Sequence, residues 1–263
     1  MQREISGNVA LVSASSSGLG KASAKALARR GAHVVVNGRD EERLAEAVAE
    51  IEDVAEGEVV GQAGDLTDPD DIEALVERTV DEFGGIDHLV TSAGGPPSGS
   101  FLSMDDDDWY HAFDLLVMSV VRLVRESAEY LQADGGGTIV TVTSRSVKEA
   151  IDSLVLSNSV RMSVIGLEKT LSMELAPEVR ANAVLPGPHE TSRIEDLIEQ
   201  GVERGDYDSY EDGVEARGEG IPVGGMGDPD DFGEVVAFLS SPRSAHIDGV
   251  ALPVDGGAGA SNL

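Results

Sequence analysis

Short runs of apolar, β-branched residues alternate along the chain with longer segments whose apolar positions recur every three or four residues. The first run, 8–13 (NVALVS), reads as a strand, and 18–30 as a helix. Further strands are expected at 33–37, 58–63, 86–91, 138–143, 179–184 and 250–254. Between them, helices are expected at 40–54, 70–83, 109–131, 153–175 and 230–239; in the first of these Leu44, Val48 and Ile51 share a face. Helices spaced this evenly between apolar strands predict right-handed βαβ crossovers, so the fold class is α/β, a doubly wound parallel sheet covered on both faces. The texture changes at 191–225, a polar, acidic stretch holding Gly201, Gly205, Gly213, Gly218 and Gly220. It has too few apolar residues for a core of its own and reads as a helical flap or lid within one domain spanning 1–263.

Charge narrows the function. Asp and Glu number 49 against 19 Lys and Arg, a formal net charge of −30, and only 4 of the cations are lysines. A surface this acidic is not expected to bind nucleic acid, because phosphate contacts need cations that release counterions. The acid is spread through helices and loops, which with few lysines points to a salt-loving source, where a Debye length of about 3 Å in molar salt removes most self-repulsion. There is no cysteine and no apolar run of 18 residues, and the expectation is a soluble cytoplasmic protein without a membrane partner.

The turn after the first strand reads Ser13-Ala14-Ser15-Ser16-Ser17-Gly18-Leu19-Gly20. Gly18 and Gly20 let backbone approach a pyrophosphate, and the helix that follows offers N–H donors and a favourable dipole. Ser13, Ser15 and Ser17 are candidate hydroxyl donors, although a serine-rich turn also caps helices without any ligand. At the end of strand two stands Asn37-Gly38-Arg39, where an NAD site usually has an acid. Arg39 can fork onto a 2′-phosphate, which favours NADP over NAD; Asp40 is the competing carboxylate, with a second use as helix N-cap. Asp65, followed by Leu66, either accepts from an adenine amine or ties down its own turn. Strand four ends in the small residues Ser92-Ala93-Gly94, where a flat ring can lie close to backbone.

With these motifs the chain resembles the classical short-chain dehydrogenase/reductases, Rossmann-fold proteins, and within them the branch similar to 3-oxoacyl-acyl-carrier-protein reductases. The correspondence runs from about residue 5 to 257, with Ala14 replacing the first glycine of the family's Thr-Gly-x-x-x-Gly-x-Gly turn. The family's Asn-Ala-Gly is Ser92-Ala93-Gly94, its Pro-Gly turn is Pro186-Gly187, and its Val-Asp-Gly-Gly is Val254-Asp255-Gly256-Gly257. The resemblance implies that Thr191 holds the nicotinamide amide, and that the chain associates as a dimer or tetramer through the helices near 109–131 and 153–175. Apolar faces there, Leu115, Val117, Val120 and Leu154, Val164, Leu167, Leu171, serve either an interface or the core.

It also implies a serine, a tyrosine, a lysine and an asparagine for chemistry. Hydride transfer to a carbonyl builds charge on oxygen, which donors must stabilise and an acid must quench. Ser144 matches the serine, and the Tyr-x-x-x-Lys pair falls at Ser157 and Arg161, 13 residues beyond Ser144 for the first. The asparagine position holds Leu116. Ser157 is a far weaker acid than a phenol of pKa about 10, and Arg161 keeps a charge able to hold ribose hydroxyls but gives up no proton near neutral pH. Candidate substitute acids are His189, Lys148, Tyr207 and Tyr210; each also has a bland reading as a loop residue or, for the tyrosines, a hydrophobic clasp. His33, His88, His111 and His246 have no metal-ligand spacing, and Asp105 to Asp108 read as helix capping. Two functions follow: an NADP-dependent oxidoreductase acting on a small carbonyl or alcohol, or a cofactor-binding protein with little redox activity that serves as sensor or interaction partner.

Overall fold

The computed structural model describes residues 5–133 and 135–262. Its strands are β1 (Val9–Val12), β2 (His33–Gly38), β3 (Val59–Ala63), β4 (His88–Thr91), β5 (Gly137–Val142), β6 (Val179–Pro186) and β7 (Ala251–Val254). They form one parallel sheet in the order β3-β2-β1-β4-β5-β6-β7. The order reverses beside β1, so the crevice at the carboxyl ends of β1 and β4 is the switch point where ligands of such sheets bind.

Helices cover both faces, as the continuous apolar strands require. On one face lie α1 (Gly18–Ala28), α2 (Glu41–Glu52) and α9 (Pro229–Ser240), whose Leu27, Leu44, Ile51, Phe232 and Val236 share a core with Val12, Val34 and Val140. On the other lie α3 (Pro69–Phe83), α5 (Ser119–Leu131) and α6 (Val155–Glu174), with Leu75, Leu123 and Ile139 among the buried residues. A Cβ at Gly233 would stand 2.4 Å from the Ala22 carbonyl oxygen, so the closeness of α1 and α9 depends on that glycine. Two further helices, α7 (Ser192–Arg204) and α8 (Tyr210–Gly218), occupy 191–225. No helix among the described residues is long and apolar enough to cross a membrane.

The segment expected to be one helix over 109–131 is built differently. It begins earlier, as α4 (Asp106–Phe113), where Asp105 and Asp108 form a reciprocal capping box. A π-helical turn, Asp114–Met118, then joins α4 to α5. The apolar period continues across the insertion, which is why the pattern alone reads straight through it.

The apolar faces left open between interface and core resolve toward the core. Val117, Val120 and Val164 are buried, and Leu115, Leu167 and Leu171 pack against buried clusters. The apolar side chains that α4 and α6 turn outward are Tyr110, Phe113, Met162 and Met173. At the sheet's far edge, the carbonyls of Val250 and Val254 accept from β6, so by alternation Ala251 and Pro253 turn their backbone outward.

Candidate active site and cofactor crevice

The turn after β1 is held rigid from beneath. Ser13 Oγ donates to the Ser92 carbonyl at 2.7 Å and accepts the Ser92 N–H at 2.9 Å, tying β1 to β4. Ser15 Oγ donates to the Val12 carbonyl at 2.5 Å and accepts the Asn37 N–H at 2.9 Å. Both serines are fully buried and their hydroxyls are spent inside the protein, so as ligand donors they offer only backbone. Asn37, whose part the sequence did not reveal, sews three loops together: its Oδ1 accepts the Ala14 N–H at 3.1 Å, and its Nδ2 donates to the Gln62 and Gly64 carbonyls, each at 3.2 Å.

Helix α1 starts over this turn with Ser17 as N-cap, yet the Ser17 hydroxyl makes no capping bond. By contrast, α2, α3, α4, α8 and α9 are each capped by an Asp or Ser side chain. Thr191, the N-cap of α7, likewise makes no side-chain cap. The two helix starts converge, since a Cβ on Gly18 would sit 3.7 Å from Thr191 Cγ2. Two uncapped helix N-termini facing one point present N–H donors and positive dipole ends together, which suits a pyrophosphate. A cavity of about 440 Å³ opens beside them, lined by Ser16, Ser17, Gly18, Lys21, Arg43 and Thr191 among others. Gly20 has to be glycine, because a Cβ there would stand 2.3 Å from the Ala14 carbonyl oxygen.

At the carboxyl end of β2 stands Arg39, mostly exposed, with Nη1 3.5 Å from Asp65 Oδ2. Asp65 also accepts the Thr67 N–H at 2.9 Å and hydroxyl at 2.8 Å. Its partial burial pushes the carboxyl up, but the Thr67 bonds and Arg39 outweigh this and hold it below the ordinary Asp value. Asp40 caps α2 by accepting the Arg43 N–H at 2.9 Å, so the competing carboxylate is engaged in structure. Gly38 packs under Ser16, whose Oγ lies 2.6 Å from where a Cβ would be. The Leu66 side chain is committed to the core, leaving only its backbone toward the crevice. Ala93 and Gly94 are accessible at the end of β4, and no atom lies within 4 Å of a Cβ placed on Gly94. Across the crevice Pro186 closes β6, and Gly187 allows close approach to Asp255, whose Cα would be 2.6 Å from a Cβ there. These features together fit a dinucleotide.

Ser144 follows β5 and caps a short 3₁₀ turn, Arg145–Val147, that the sequence pattern had not indicated. Its Oγ accepts the Ser146 N–H at 3.1 Å, and the Ser146 Oγ lies 3.0 Å from the Ser157 Oγ. Ser146, Ser157 and Arg161 are all buried, the last two within α6. Leu116 is buried within the π turn. Asn158 pins the loop before α6 to the helix by accepting the Ile151 N–H at 3.1 Å and donating to its carbonyl at 2.9 Å.

Of the substitute acids, His189 is buried with Nδ1 2.9 Å from the Gly187 carbonyl oxygen and its ring edge-on to Phe232 at 5.3 Å. That is a structural setting, not a loop histidine exposed to a substrate. The Tyr207 ring is clasped between α7 and α8, 2.6 Å from a Cβ placed on Gly201. Tyr210 is more weakly acidic than usual, through desolvation and the carboxylates of Glu195, Glu199, Glu190 and Glu211. Lys148 lines a separate cavity of about 230 Å³ with Arg145, Pro253 and Asp255. Among the described residues no group of three or more His, Asp or Glu side chains has metal-binding geometry, and Asp105 and Asp108 are engaged in capping.

A buried polar chain lies behind the site. Thr91 Oγ1 donates to Thr141 Oγ1 at 2.7 Å, and Thr141 donates to the carboxyl of Glu168, which is completely buried. Desolvation, opposed by the Thr141 bond and reinforced by Asp248, lifts the Glu168 pKa to about 8. Nothing in the helical pattern separates Glu168 from a surface acid.

A family model described as Enoyl-(Acyl carrier protein) reductase matches residues 13–259. The chain belongs to the short-chain dehydrogenase/reductase family, a class of oxidoreductases. Among its relatives, the human protein named Dehydrogenase/reductase SDR family member 4 is 32% identical over 256 residues, covering 96% of this chain and 88% of that one. The 3-oxoacyl-[acyl-carrier-protein] reductase FabG of Thermotoga maritima is 31% identical over 254 residues, covering 96% and 98%. Among solved structures, L-sorbose reductase from Gluconobacter frateurii, complexed with NADPH and L-sorbose, superposes with a TM-score of 0.94 at 29% identity, covering 99% of this chain and all (100%) of the other. Actinorhodin polyketide ketoreductase with NADPH gives 0.90 at 30% identity over 99% and 100%.

Proposed function

We propose that this protein binds NADPH and reduces the carbonyl group of a small molecule. The observation that carries the reading is the crevice at the switch point: two uncapped helix N-termini meet at one end, Arg39 stands where an NAD site would have an acid, and Ser144 stands at the other end. The NADPH complexes of the sorbose reductase and the ketoreductase support the same cofactor. Gly18, Leu19 and Gly20 hold the pyrophosphate through backbone, Arg39 the 2′-phosphate, Asp65 the adenine edge, Ala93 and Gly94 the adjoining ribose, and Arg161 the nicotinamide ribose. Pro186, Gly187 and Thr191 border the nicotinamide. NADPH supplies hydride when bound; Ser144 donates a hydrogen bond to the carbonyl oxygen and polarises it. Helices α7 and α8 form the lid over this crevice, and the outward apolar residues of α4 and α6 are where copies of the chain associate.

Equilibrium titration with NADPH and NADH in molar KCl, read by Trp109 fluorescence and calorimetry, tests this reading. NADPH is expected to bind at least tenfold tighter than NADH, and Arg39→Ala to erase the difference while sparing NADH. Equal binding of the two would remove the NADP assignment, and binding of neither would remove the function.

The loss of the tyrosine, lysine and asparagine at Ser157, Arg161 and Leu116 favours a second reading, cofactor binding with little turnover. Restoring Ser157→Tyr with Arg161→Lys separates the two. A large gain in carbonyl reduction indicates a crevice otherwise assembled for chemistry, and no gain with cofactor bound indicates a repurposed one.

A further inference from the structure

We propose that Ser146 is a positioning residue whose backbone N–H orients Ser144 and whose hydroxyl joins Ser157 in a two-hydroxyl relay, standing in for the phenol the site lacks. The inference rests on the reductase reading, and its geometry comes from the 3₁₀ turn. That turn folds back so that the Ser146 N–H reaches Ser144 Oγ at 3.1 Å while its hydroxyl reaches Ser157 Oγ at 3.0 Å. A hydroxyl oxygen that accepts a hydrogen bond becomes a better donor through its own proton, so the Ser146 amide sharpens Ser144 as the group polarising the substrate oxygen. The buried Ser146 side chain has the Ser157 hydroxyl as its hydrogen-bond partner, an arrangement that no helix or turn requires.

Hydride arriving at the carbonyl carbon forms a C–H bond and sends the C=O π electrons onto oxygen. That oxygen takes the proton of Ser157 Oγ, Ser157 takes the proton of Ser146 Oγ, and Ser146 takes one from water, leaving hydroxide to the buffer. By microscopic reversibility the same relay serves alcohol oxidation in the opposite sense, and with no phenol in the path the pH profile of reduction has no break near 10 of the kind a catalytic phenol gives.

The test compares the wild type with S146A, S157A, S146A/S157A and S146T. NADPH titration should be the same for all five. In thermal unfolding, the two alanine substitutions should be non-additive, as expected of side chains in direct contact. With NADPH and 2,3-butanedione, S146A should lower kcat at least tenfold at unchanged KM, with a bowed proton inventory in mixed H₂O and D₂O becoming linear. S146T, which keeps the hydroxyl, should recover most of the rate. The relay is overturned by an S146A enzyme with wild-type kcat and proton inventory, by additive stabilities, or by a wild type that binds NADPH and never reduces the diketone. A wild type that binds no NADPH overturns the reductase reading itself, a different result from any of these.

Discussion

Ala14 sits at φ +43°, in the left-handed region, at the position where the family's turn has its first glycine. A Cβ there costs about 1–2 kcal/mol, and glycine's larger freedom in the unfolded chain takes back about 0.4–1 kcal/mol. Ala14→Gly should therefore stabilise the protein by at most about 1.6 kcal/mol, a rise of no more than roughly 3–6 °C in Tm by calorimetry. Two buried titratable side chains set a pH dependence of opposite sign. His88 is held neutral, its pKa lowered to about 4 by desolvation and then by Arg180. Unfolding lets it take up a proton between about 4 and 6.5, so its contribution to stability grows as pH rises through that window. Glu168 is raised from 4.5 to about 8, so the folded state holds the extra proton and stability falls as pH rises through that window. The two slopes oppose one another between about 4.5 and 6.5, and Glu168 acts alone from there to about 8. Urea midpoints should fall between pH 6.5 and 8, and Glu168→Gln should flatten that fall.

At the scale of elements, most of the architecture was legible, because β-branched runs buried on both faces and amphipathic helices leave different periods in the sequence. The parallel sheet, both flanking helix layers and the glycine turn after β1 appear where those periods place them. What escaped was backbone that departs from a period without disturbing it: the π turn at 114–118 and the 3₁₀ turn after Ser144. The candidate site was legible only in part. Ser144, Ser157 and Gly18 could be located by motif, but the inward turn of Ser13 and Ser15, the stitching by Asn37 and the contact of Ser146 with Ser157 depend on three-dimensional proximity across 10 to 80 residues of chain. The capping box gives this scale its own prediction: Asp105→Ala should cost about 1 kcal/mol of stability by removing the bond to the Asp108 N–H.

For the molecule as a whole, the net charge of −30 dominates. Ion pairs such as Lys21 with Glu50 and Arg29 with Asp230 lie at the surface, where each contributes little, so most carboxylates repel one another. Tm should climb steeply with KCl and level off as the Debye length nears about 3 Å at 1 M. Association belongs to this scale too: Phe113→Glu with Met162→Glu should lower the mass found by sedimentation in molar KCl, with NADPH binding retained. High salt raises a further hazard, since it removes the repulsion that keeps exposed strand edges of different molecules apart. The outward edge of β7 meets that hazard with a residue that has no N–H, Pro253. A strand from a neighbouring molecule would find one amide donor, at Ala251, where a ladder needs two. Crowded and with their charges screened, such molecules can still meet by their helical faces, but they cannot polymerise into a continuous sheet through this edge.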